Sequence, residues 1–174
     1  ACILGYGEIG KKVSAMLKAF GVKIKAVNSS GRRGGGDIEM FPAKDALEAA
    51  RGSDIVICAL PLTDATRGMI NKDFLSALKK ECMLVNVSRA DIVEEDDLYQ
   101  ALLGQTISGY ASDVWWKAPE RGASESWPSE KNEFWRLPNV VMSPHRAGFI
   151  EGALPHLDDA VKNIANMIDG KEFI

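Results

Sequence analysis

Cysteine is scarce in this sequence and histidine scarcer, with three of the former and two of the latter in 174 residues. Cys2, Cys58 and Cys82 are odd in number and lack metal-ligand spacing, which argues against a disulfide scaffold and a metal centre alike. No metal is expected. Positive charge is not in excess either. The 21 basic and 24 acidic residues leave a formal net charge of −3, which argues against a nucleic-acid binder relying on bulk positive charge but not against a local basic pocket. Long apolar runs are missing too: the longest, Ile55–Leu62, falls well short of the roughly 18 residues that a membrane span needs. No basic-then-apolar leader precedes Ala1, so no secretion signal is expected.

What is present is ordinary for a globular protein: 46% hydrophobic and 26% charged residues. The length suits one domain, since domains cluster at about 100–150 residues. The expectation is a soluble, cytoplasmic, single-domain chain with reduced, buried thiols. Its opening is odd. Ala1-Cys2-Ile3-Leu4-Gly5 reads as a buried strand running straight into a glycine turn, as expected of a fragment that has lost an N-terminal portion.

Short apolar or β-rich runs recur at Cys2–Leu4, Val22–Val27, Ile55–Ala59, Met83–Val87, Ile107–Ala111 and Val140–Met142. They are too short for helices, and several are apolar on both faces, as strands of a parallel sheet covered on both sides are. Helical spacing appears between them, in Ile9, Val13, Leu17 and Phe20, and again in Leu157, Val161, Ile164 and Ile168. Asn71 is placed to cap a helix carrying Phe74, Leu75 and Leu78, and Glu94–Asp97 crowd the first turn of another. Strand starts lie roughly 20–30 residues apart, which leaves room for a crossover helix each time. The expected fold is α/β, a doubly wound parallel sheet.

Gly5-Tyr6-Gly7-Glu8-Ile9-Gly10 matches the pattern GxGxxG. It follows the first expected strand and opens an amphipathic helix, the context in which such a turn binds a dinucleotide pyrophosphate on helix N-terminal amides. A purely structural glycine turn is the alternative. The residue that clamps the adenosine ribose is expected about 20 positions on, where NAD enzymes carry a carboxylate. This sequence has Asn28, followed by Ser29, Ser30, Gly31, Arg32 and Arg33. No carboxylate repels a 2′-phosphate there, hydroxyls can bond it, and a guanidinium can pair with it, so NADP is favoured and NAD stays possible. The alternative is that the two arginines keep a mobile loop in solution.

Ligands of open α/β sheets bind outside the carboxyl ends of the strands. Polar residues fall there one after another: Leu60-Pro61-Leu62-Thr63, Asn86-Val87-Ser88-Arg89, Asp113, and Ser143-Pro144-His145. Leu60, Pro61, Val87 and Ser88 are accordingly candidates for the cofactor cleft.

With GYGEIG, the segments CALPLTDATRGMI, VNVSRADIVEEDDL, SGYASDVWW and NVVMSPHRAGF resemble the cofactor domain of the D-isomer-specific 2-hydroxyacid dehydrogenases across essentially the whole chain. The resemblance implies a Rossmann NAD(P)-binding domain, a missing substrate lobe, and an oxidoreductase acting on a small 2-oxo or 2-hydroxy acid of glyoxylate, hydroxypyruvate or glycerate size. It makes Arg89 the group that binds the substrate carboxylate and His145 the acid–base catalyst, placed beside the nicotinamide. Asp113 would hydrogen-bond the nicotinamide carboxamide, and Pro61 and Thr66 would line the cofactor. A homodimer is the expected assembly.

Two departures stand out. Relatives place a glutamate directly before a proline in the segment after Asp113, where it pairs with the catalytic histidine; here Ala118 precedes Pro119. Alanine can neither favour the charged imidazole nor fix its tautomer, so slower proton transfer is expected. This keeps open a dinucleotide-binding protein with impaired catalysis, or a formate-dehydrogenase-like activity. Ser88 and Ala90 flank Arg89 where relatives often have glycine, a small change. Trp115, Trp116, Trp127, Phe134 and Trp135 are expected to form a wall over the site or part of a dimer contact, with core packing as the alternative.

Overall fold

In a computed structural model, residues 1–31, 37–117 and 128–145 are described. Arg32, Arg33, Ala118, Trp127 and the helical spacing at 157–168 lie outside them. The elements run β1 (Cys2–Leu4), α1 (Glu8–Ala19), β2 (Lys25–Asn28), β3 (Glu39–Pro42), α2 (Ala46–Ala50), β4 (Ile55–Cys58), α3 (Lys72–Ser76), β5 (Met83–Asn86), α4 (Glu95–Leu103), β6 (Gly109–Ser112) and β7 (Val140–Met142). Among the described residues the seven strands are all parallel, in the order β3-β2-β1-β4-β5-β6-β7. The chain therefore winds outward from β1 in one direction and from β4 in the other, and the order reverses between those two strands.

Alternation along the strands feeds two cores. Cys2, Leu4, Val56, Cys58, Leu84 and Tyr110 face α2, α3 and α4 and join Ile70, Leu98, Leu102 and Phe134 in the larger one. Ile3, Ala26, Ile24 and Ile38 face the other way, against Val13 and Leu17 of α1. Each fully buried aliphatic side chain contributes about 1.5–3 kcal/mol, so the larger face dominates the stability. Asn71 caps α3 by accepting the Phe74 amide at 3.1 Å. Glu95, Asp96 and Asp97 occupy the first turn of α4, where carboxylates complement the helix dipole.

Three expectations need correcting. The second strand starts at Lys25, not Val22, because its partner runs out: Lys25 pairs with Cys2 and its amide bonds the Ala1 carbonyl. The fifth expected run, Ile107–Ala111, begins at Gly109 because Met83 sets the register there, leaving Ile107 buried just outside the ladder. In α1, Val13 and Leu17 face the sheet as expected, whereas Ile9 and Phe20 are 56% and 85% exposed. The edge strand β3 carries Glu39 and Pro42 around the apolar pair Met40 and Phe41, too short a run to announce it. Among the described residues no helix is long and apolar enough to cross a membrane.

Candidate active site

The turn from β1 into α1 is built by its glycines. Gly5 sits at φ +101°, and a Cβ there would run into the backbone of Ala59 at the end of β4. A Cβ on Gly10 would meet the Gly5 carbonyl, so the helix packs against the turn only with glycine at both positions. Gly7 differs: a Cβ would meet nothing. Gly7 is the N-cap of α1 and offers no side chain to the first-turn amides. Open space above amides without a side-chain cap fits an anionic group such as a pyrophosphate. Tyr6 is half-buried, while Glu8 and Ile9 are exposed on the first turn and Glu8 pairs with Lys11 at 2.8 Å.

Beside this turn lies a cleft of about 430 Å³, lined by Ile9, Leu60, Pro61, Val87, Ser88 and Arg89 among others. It sits where the strand order reverses, the place at which open α/β sheets hold their ligands. Five of the cofactor candidates thus meet in one cavity. Thr66 braces the neighbouring loop: its hydroxyl donates to the Pro61 carbonyl at 2.7 Å and accepts from the Thr63 amide at 2.8 Å. It shapes the loop that carries Pro61.

At the tip of β2, Asn28 uses its side-chain oxygen to hold the turn, accepting the amides of Ser30 at 3.1 Å and Gly31 at 2.6 Å. An amide, not a carboxylate, therefore organises this turn, and the exposed Ser29 and Ser30 follow it directly. Among the described residues of this turn, Asn28–Gly31, there is no carboxylate.

Asn86, fully buried at the end of β5, organises the next loop. Its side-chain NH2 donates to the Arg89 carbonyl at 3.0 Å, and its oxygen accepts from the Ser88 amide at 3.0 Å and the Ser88 hydroxyl at 2.9 Å. Ser88 Oγ also meets Cys58 Sγ at 3.1 Å. Tyr110 is buried below, its hydroxyl beside Asn86 and Ser112 without a well-formed bond to either, and burial pushes its ionisation up to about 12. Burial likewise raises the Cys58 thiol, so this polar layer carries no charge. It serves to hold the turn that presents Arg89. The Arg89 guanidinium is exposed and folds back, Nη1 donating to the Ser88 carbonyl at 2.7 Å.

Asp113 is buried just beyond β6, and its carboxylate accepts the Ser143 hydroxyl at 2.6 Å. His145 follows β7, exposed and in the left-handed region at φ +58°. The loops carrying Arg89 and His145 leave strands two places apart, or roughly 10 Å at the usual strand spacing. Trp115, Trp116 and Phe134 pack on the larger core, with Trp116 stacked on Phe134 at 5.3 Å. Core packing therefore accounts for these three rings, and the fully buried Phe134 has no surface to offer a partner.

Residues 1–147 match the NAD binding domain of the D-isomer specific 2-hydroxyacid dehydrogenases. The chain belongs to that family. It is 30% identical over 170 residues to a glycerate dehydrogenase of Methylorubrum extorquens, covering 97% of this chain and 50% of that protein. It is 35% identical over 146 residues to the glyoxylate reductase/hydroxypyruvate reductase of Homo sapiens, covering 82% and 42%. A crystal structure of a D-isomer specific 2-hydroxyacid dehydrogenase from Xanthobacter autotrophicus Py2, in complex with NADPH and MES, superposes with a TM-score of 0.81 at 26% identity, covering 100% of this chain and 68% of that one. The chain spans about half or less of the length of the curated relatives it matches. Members of the family bind NAD or NADP.

Asn86 and Ser143 were legible in the sequence only as polar residues at the ends of apolar runs, and Trp115 only as one aromatic of a long loop. Their bonds are what the structure adds to the site.

Proposed function

We propose that residues 1–174 form the dinucleotide-binding domain of an NAD(P)H-dependent oxidoreductase that interconverts a small 2-oxo acid and its D-2-hydroxy acid. The substrate-binding lobe lies outside this sequence in that reading. The observation that carries it is the convergence of the Gly5–Gly10 turn, the Arg89 loop and the His145 loop on one carboxyl edge of the sheet. The relatives' names support a substrate of glyoxylate, hydroxypyruvate or glycerate size.

Arg89 binds the substrate carboxylate in this mechanism. Its planar fork meets a carboxylate bidentately and stays charged at any working pH. To do so it leaves the Ser88 carbonyl, exchanging one hydrogen bond for a charge-assisted pair. A bound reduced nicotinamide supplies the hydride. His145 gives its proton to the carbonyl oxygen during reduction and takes it back from the hydroxyl during oxidation. Asp113 would hold the carboxamide of a bound nicotinamide. Gly7 and the first-turn amides of α1 receive the pyrophosphate, and Asn28, Ser29, Ser30 and Arg32 receive the adenosine ribose. NADP is the preferred cofactor, on the neutral ribose corner and the arginine that follows it. The protein works in the cytoplasm as a homodimer, with no nucleic-acid or membrane partner.

The test is a parallel titration with NADPH and NADH, read by tryptophan quenching and calorimetry, followed by a panel of 2-oxo acids and formate on the full-length protein. NADPH binding about tenfold tighter is the expected result. Equal affinities overturn the preference, and no binding of either cofactor removes the basis of the oxidoreductase reading. Binding without turnover of any acid favours the alternative that Ala118 suggests, a dinucleotide-binding protein with impaired catalysis.

A further inference from the structure

The strand that leads to His145 is weakly held by the sheet. β7 has three residues, pairs with β6 alone among the described residues, and leaves Val141 and Met142 64% and 39% exposed. Beyond it, however, Ser143 is fastened at every polar group it has. Its amide donates to the Ser112 carbonyl at 2.9 Å. Its carbonyl accepts the Trp115 indole N–H at 3.0 Å. Its hydroxyl donates to the Asp113 carboxylate at 2.6 Å. All three partners come from the single segment 112–115.

That segment is itself rigid. Trp115 lies edge-on to Tyr110 with ring centroids 5.8 Å apart, and 5.9 Å from Phe134, both fully buried. From the fixed Ser143 the chain has little freedom before the imidazole. Pro144 locks its own φ near −65°. His145 then takes a left-handed backbone, which a side-chain-bearing residue keeps only where its surroundings over-determine it. Among the described residues no side chain bonds the imidazole, and the residue before Pro119 is Ala118, which has no polar group to offer. What the described residues fix is the main chain from which the ring projects.

We propose that Trp115 and Ser143 are positioning residues for His145, a clamp that sets the acid–base group through the main chain rather than through a side-chain partner. The proposal rests on the reading of His145 as the proton donor. Through Asp113, whose carboxylate accepts the Ser143 hydroxyl, the clamp would also tie the residue read as the carboxamide holder to the segment that leads to His145.

The test uses the full-length enzyme with NADPH and its best 2-oxo acid. Trp115→Phe keeps the ring packing and removes the donor; Ser143→Ala removes the hydroxyl; Ser143→Thr keeps it. Trp115→Phe and Ser143→Ala are expected to lower kcat about five- to tenfold, the worth of one ordinary hydrogen bond, with the KM for the acid within twofold. The solvent deuterium isotope effect on kcat should rise in both, because proton transfer becomes limiting. Ser143→Thr should restore kcat. Loss of packing alone would lower the melting temperature without moving the isotope effect. Folded Ser143→Ala with unchanged kcat and isotope effect overturns the clamp, whatever becomes of Trp115→Phe. His145→Gln separates the two failures: if it turns over like the parent, the acid–base assignment falls and the clamp with it. If it is inactive while the clamp variants are not, only the clamp falls.

Discussion

Replacing Asn86 by alanine probes the polar layer beneath the cleft. The buried side chain makes three hydrogen bonds, to the Arg89 carbonyl and to the amide and hydroxyl of Ser88. Ser88 Oγ keeps Cys58 as a partner at 3.1 Å and the Arg89 carbonyl keeps the Ile92 amide at 3.4 Å, but the Ser88 amide loses its partner. Lost bonds cost about 1 kcal/mol each, and a buried group left without a partner costs about 1–3 kcal/mol. With partial relaxation the total is about 2–4 kcal/mol, or a fall of about 5–15 °C in melting temperature for a chain of this size. Thermal unfolding followed by circular dichroism measures it. The functional consequence is separate, because the lost bonds anchor the turn that presents Arg89. In the full-length enzyme the KM for the 2-oxo acid should rise about tenfold, while the affinity for NADPH stays within a factor of two or three. An Asn86→Ala protein that melts within 2 °C of the parent, on the order of 0.5 kcal/mol, would refute the accounting. An unchanged KM would sever the link between the buried amide and Arg89.

Other substitutions and conditions test separate parts of the structure. Gly5→Ala puts a Cβ into the Ala59 backbone at a φ of +101°, and calorimetry should find cofactor binding lost or weakened at least tenfold. Binding like the parent's would mean the turn relaxes freely. Alkaline pH should destabilise the fold. Burial pushes the Cys2 thiol up to about 12, Cys82 up to about 11 and Tyr110 up to about 12, so the native chain keeps protons that the unfolded chain releases from pH 9 upward. Stability is then complete below that range and falls as pH rises through it. Urea midpoints between pH 8 and 10.5 should drop steadily, and less steeply in Cys2→Ala. Ala118→Glu restores a carboxylate before Pro119, and the alkaline limb of its pH–rate profile for 2-oxo acid reduction should move toward higher pH; a profile that superposes on the parent's denies the glutamate any role here.

Much of this architecture is legible in one dimension. The glycine turn needs no partner to be recognised, because strand, turn and helix are contiguous, and β1 and β7 coincide with their apolar runs. Boundaries failed where a neighbouring strand decides them. Val22–Ile24 look as strand-like as Ala26–Val27, yet pairing begins only where β1 provides a partner. The faces of α1 failed for a similar reason: Ile9 and Phe20 keep helical spacing, but the sheet reaches only Gly10, Val13, Ser14 and Leu17. Site residues were visible as polar groups after apolar runs. Their division of labour was not, since the bonds of Asn86 to Arg89, and of Trp115 to Ser143 across 28 positions, exist only once the strands are side by side.

The three cysteines have a practical bearing. Each is free and buried, spaced along the sheet in β1, at the tip of β4 and just before β5. Burial holds all three protonated at neutral pH, and the thiolate is the form that maleimides and iodoacetamide attack. The folded domain is thus silent toward thiol reagents as it stands. A single cysteine introduced at an exposed position, such as Lys12 on α1, would take a fluorophore or spin label alone, with no native residue removed. Motion of the cofactor turn during binding then becomes measurable from one probe on an otherwise unaltered chain.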